Sequence, residues 1–203
     1  MYCAIHIRAY GEQYPVCHNH KNNRKAGAPF PPKVKALGFP RRDFYEKFRV
    51  NNSKVRIGYA GEALSTTKLV FSFPDDEVYS VDDYTEMIVS RKHELDFSVL
   101  PIHFILVGLD SQRRMSIVAL SSKSNFAIDK VQPSDGYVGY KAALPFATQP
   151  VQAKLILAIE DIISKSHTTT ELKNGMVSLI TYISQNDMTV NSNIRGSEVI
   201  LYE

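Results

Sequence analysis

The chain has 203 residues, with 24 Lys and Arg against 21 Asp and Glu, 44% hydrophobic residues and no Trp. That length suits one domain with a substantial core, and the apolar content and modest charge exclude a disordered chain, a collagen or a coiled coil. The longest apolar run without a charge, residues 99–109, is interrupted by Pro101 and His103 and is too short to span a bilayer, so no membrane attachment is expected.

Residues 2–9 alternate loosely and are rich in Ile, which predicts a strand. Gly11 is a turn candidate, and residues 14–18 read as the return strand of a hairpin. The opening MYCAIHIR lacks a basic segment followed by an apolar one, so no secretory signal is expected. Cys3 and Cys17 are the two cysteines. They could form one bridge, but nothing points to a disulfide scaffold, and a reducing cytoplasm is the expected location.

Residues 22–42 read as a long basic surface loop, because Pro29, Pro31, Pro32 and Pro40 with Gly27 and Gly38 break both helix and strand. Between positions 21 and 49 nine basic residues stand against two acidic ones, a net +7, and the remaining 15 basic and 19 acidic residues carry −4. Contact with nucleic acid or another polyanion is one reading of that charge. The others are an ordinary solvated insertion or pairing with an acidic neighbouring subunit. No RNA-binding motif accompanies the aromatic residues Phe30, Phe39, Phe44 and Tyr45, so nucleic acid is not the preferred partner, and the net acidic remainder of the chain favours the subunit.

Two short strands, 47–50 and 55–59, follow around the turn Asn51-Asn52-Ser53. A helix is predicted over 63–73 and ends at Pro74-Asp75-Asp76; a second covers 82–93, with Asp82 and Asp83 near its positive N-terminus. Residues 103–109 form a continuous apolar run of buried-strand length, Ser111-Gln112 turns, and 115–120 returns. Residues 125–131 and 136–141 add another pair. Two helices come next, 151–164 with Val151, Leu155, Ala158, Ile159 and Ile162 on one face, and 171–184 with Leu172, Met176, Leu179, Ile180 and Ile183. Thr170 is the expected N-cap of the latter. A strand over 198–202 closes the chain. Strand runs separated by paired helices imply antiparallel sheets covered by helical layers, not a doubly wound fold.

Residues 47–69, KFRVNNSKVRIGYAGEALSTTKL, resemble the proteasome β-subunit family and its bacterial Anbu-type relatives. In that family a strand carrying an essential lysine turns into an apolar strand that ends in Ala-Gly, and a helix follows directly. Lys47 and Ala60-Gly61 stand at the corresponding positions, with a step of 14 positions from Lys47 to Gly61. FILVGLD at 104–110 is similar to the family's central strand and turn, and the last helix, Asp187 and the segment 196–202 resemble its C-terminal end. The resemblance implies an α+β fold of the N-terminal nucleophile (Ntn) hydrolase type, a four-layer αββα sandwich.

The chemistry that the resemblance implies is amide-bond cleavage by the side chain of the first mature residue. Its free α-amine, with a reference pKa of about 8, serves as base. By this resemblance Lys47 lowers the nucleophile's pKa and Asp187 holds the lysine. The alignment brings Met1 to the nucleophile's position, where a thioether cannot act. Cys3 is the nearest candidate, exposed by removal of Met1 and Tyr2; its other reading is a small buried hydrophobe. On sequence alone Lys47 also reads as a strand-edge lysine, and Asp187 as a turn residue.

Cys17-His18-Asn19-His20 reads as a polar turn or as metal ligands, and the lack of a second ligand pair favours the turn, so no metal is expected. Cys3 and His6 fall on opposite faces of a strand. With no P-loop and no GxGxxG, no cofactor is expected. The sequence therefore predicts one proteasome-like domain over 1–203 with a basic insertion at about 21–42. Its function is hydrolysis of a peptide or amide substrate after processing, with Cys3, Lys47 and Asp187 as site residues. A catalytically inactive structural or binding member of the same fold is the alternative, and a polyanion-binding module the third. Self-association through helix faces is expected, with Tyr79, Tyr84, Met87 and Ile88 as contact candidates.

Overall fold

Residues 3–8, 14–20, 48–62, 64–98, 100–133, 138–143, 149–186 and 193–199 are described by the structure, a computed structural model. Among them, nine strands form two sheets. The first has four strands in the order β8-β1-β2-β9, with β1 Cys3–Arg8, β2 Tyr14–His20, β8 Val138–Ala143 and β9 Asn193–Val199. The second has five in sequential order, β3 Phe48–Val50, β4 Val55–Ala60, β5 His103–Leu109, β6 Met115–Ser121 and β7 Asp129–Val131. Every pairing is antiparallel. The helices among the described residues are α1 Leu64–Phe71, α2 Val81–Ser90, α3 Gln149–Lys165 and α4 Thr169–Asn186.

Helix α2 packs on β5 and β6, α4 packs on β2 and α3, and between them β1 lies over β4 and β5 while β8 lies over β5 and β6. This is the four-layer αββα sandwich, helices outside and two sheets within. The larger core fills the space between the five-stranded sheet and the first helix pair: Val55, Ile57 and Tyr59 of β4, Phe104 and Leu106 of β5, and Val118 and Leu120 of β6 meet Leu69, Val70, Tyr84 and Ile88. Burying each such large side chain contributes roughly 1.5–3 kcal/mol. Alternation then turns Ile105, Val107 and Ile117, all buried, toward the other sheet. The second core joins Ile159 of α3 to Leu172 and Met176 of α4, with Tyr140 and Ala142 of β8 packed against them.

The helix starts show where local chemistry decides. Ser80 and Asp83 form a reciprocal capping box at α2, so the helix begins at Val81, one residue before the expected position, and ends at Ser90, with a 3-10 turn over Lys92–Glu94. At α4 the cap is Thr168, not Thr170. Its hydroxyl accepts from the Glu171 N–H at 3.1 Å, and the Glu171 carboxylate accepts from the Thr168 N–H at 3.1 Å. The pattern Thr-x-x-Glu selects that threonine among three.

Three further expectations need correction. Residues 125–128 are not strand: Asn125 and Phe126 take left-handed backbone (φ 52° and 60°), which buries the Phe126 ring against Phe104. Residues 17–20 are not a turn but the end of β2, paired with β9. Tyr84 and Ile88 belong to the core and offer no contact surface, and Tyr79 and Met87 pack against that core. The basic segment 21–42 lies outside the described residues.

Candidate functional site at one end of the sandwich

The register of the two sheets shows which residues share an end of the molecule. Gly139 on β8 lies over the other sheet: a Cβ there would stand 3.2 Å from Val131 Cγ1 and 3.5 Å from Ile117 Cδ1. Two residues further along β8, the Lys141 ammonium donates to the Asp129 carboxylate at 2.6 Å, and Asp129 stands opposite Ala119 on β6. Another two residues bring β8 to Ala143, the partner of Cys3 at the start of β1. The same step in the five-stranded sheet leads to Ser121, then across the ladder to His103 and Ala60. Cys3 therefore begins its strand at the end of the sandwich where β4 runs out into Ala60-Gly61.

Odd positions of β8 face the other sheet, as Gly139 and Lys141 do, while Tyr140 and Ala142 face α3 and α4. Standing opposite Ala143, Cys3 occupies an inner-face register position. His6, opposite Tyr140, occupies an outer one, as strand alternation leads one to expect.

At this end Gly61 has φ +112°, and a Cβ on it would fall 2.0 Å from the Pro101 carbonyl oxygen. Only glycine lets the chain leave β4 so close to the backbone before β5. Glu62 follows and caps α1: its carboxylate accepts from the Leu64 N–H at 2.6 Å and the Ser65 N–H at 2.9 Å. The Ala-Gly pair thus leads through a capping carboxylate into the helix. Phe48, the residue after Lys47, pairs with Gly58 near the same end. Lys47 and Asp187 themselves lie outside the described residues.

His103 was not singled out by sequence, although a histidine opening a buried apolar strand was a visible signal. Its Nε2 is shut off from solvent and has no hydrogen-bond partner among the described residues. Burial first, and then the charge of Lys123, push its pKa down to about 4, which keeps the ring neutral near pH 7.

Two antiparallel sheets stacked between helix pairs, with a strand beginning beside an Ala-Gly exit, make the αββα arrangement of the Ntn-hydrolase fold. No protein-family model matches the sequence, and no curated protein matches it. Solved structures do. The chain is similar to Anbu (ancestral beta-subunit) from Yersinia bercovieri, with a TM-score of 0.61 at 9% identity over 98% of this chain and 81% of that one. It is similar to eukaryotic HslV from Trypanosoma brucei, with a TM-score of 0.55 at 11% identity over 98% and 99%. It is also similar to Anbu from Hyphomicrobium sp. strain MC1, with a TM-score of 0.54 at 10% identity over 100% and 89%. Identities this low carry the fold, not the activity.

Proposed function

We propose that this protein is a proteasome-like hydrolase of peptide or amide bonds, with Cys3 as nucleophile, Lys47 lowering the thiol's pKa and Asp187 orienting the lysine. The supporting observation is the register that brings the start of β1 to the end of the sandwich where β4 exits through Gly61. A nucleophile there needs a base, either the α-amine freed by loss of Met1 and Tyr2 or a side chain in the cleft. The expected setting is the cytoplasm; among the described residues, no helix is long and apolar enough to cross a membrane.

Fluorogenic peptide amides test the reading. Hydrolysis that falls by about a hundredfold or more in Cys3→Ala supports it, whereas turnover unchanged in that variant removes Cys3. Intact mass reports whether Met1 and Tyr2 are lost.

Self-association is proposed with it. Ile156, Leu157 and Val177 on α3 and α4 are exposed apolar side chains, the kind of surface that a second copy covers. Light scattering above the 22.9 kDa of one chain supports this, and that mass alone at micromolar concentration contradicts it.

A further inference from the structure

We draw no further inference here: the strongest candidate, the unpaired and buried Nε2 of His103 on the inner face at the start of β5, belongs to the end of the sandwich already described, and no group among the described residues shows what it would meet.

Discussion

β5 begins at the half-buried His103 and gives way at its other end to the buried Asp110, and the fold treats these two titratable groups in opposite ways. Asp110 is 3% exposed and saturated with donors. Its Oδ1 accepts from the backbone N–H groups of Gln112 (3.0 Å) and Arg114 (2.9 Å). Its Oδ2 accepts from Lys130 and the Arg114 guanidinium, both at 3.3 Å, from Ser116 at 3.2 Å, and from Gln132. Lys130 also donates to Asp82 of α2 at 2.7 Å, and Asp82 accepts from the Ser111 hydroxyl at 2.8 Å, so the network fastens the β5–β6 turn to the helix start. Burial pushes the Asp110 carboxyl up, but the Arg114 N–H, Lys130 and the Gln112 N–H outweigh it and hold the pKa at about 2. At the other end, no group among the described residues meets His103 Nε2. A closed polar cluster holds a fold together, whereas a buried polar atom left unpaired costs stability.

That contrast is most strongly challenged by Asp110→Ala. The substitution leaves the Gln112 and Arg114 N–H groups without their acceptor and takes from Lys130 and Gln132 one of two partners each, and a loss of about 2–4 kcal/mol is expected by urea unfolding. A change below 1 kcal/mol would show that the network is not structural. Gly108→Ala comes next. Gly108 has φ +152°, and a Cβ there would stand 1.9 Å from the Lys54 carbonyl oxygen, so β4 and β5 have to part. About 3 kcal/mol of destabilisation is expected, from backbone strain and the displaced contact.

The two titratable ends also separate by pH. The folded pKa of His103 lies below its unfolded value of about 6.5, so the unfolded chain binds the extra proton. Stability is therefore lost as pH falls from about 6.5 to 4, by about 1–2 kcal/mol after allowing for partial solvent screening. His103→Gln abolishes that loss. Asp110, also depressed, contributes stability above pH 4 that is lost between about pH 4 and 2, on the order of 2 kcal/mol. Denaturant midpoints at pH 7, 5 and 3 resolve both windows. The smallest effect belongs to Ser80→Ala, which removes the α2 cap away from either group and costs about 1 kcal/mol.

Periodicity made much of the fold legible. The run HFILVGL is β5 without a residue's error, and Leu172, Met176 and Ile180 are the buried face of α4 as their spacing requires. Composition alone misread Asn125 and Phe126, because a left-handed turn that buries a ring has the same residues as a strand. Tyr84 and Ile88 were misread as surface because a helix packed on a sheet hides the face that its amphipathic pattern exposes on paper. The candidate site was legible through Ala60-Gly61, where local chain geometry demands glycine. The unpartnered His103 Nε2 was not, because which atoms a second sheet buries depends on how two sheets stack, and single-strand alternation carries no such information.

The central claim is the proposal that Cys3 is a reactive thiol at this end of the sandwich, and labelling by a peptidyl vinyl sulfone tests it most directly. The account predicts one adduct per chain by intact mass, mapped to Cys3, with Cys17 unmodified and the adduct lost in Cys3→Ser. Equal labelling of Cys3 and Cys17 in the folded protein, or none at Cys3, would contradict it.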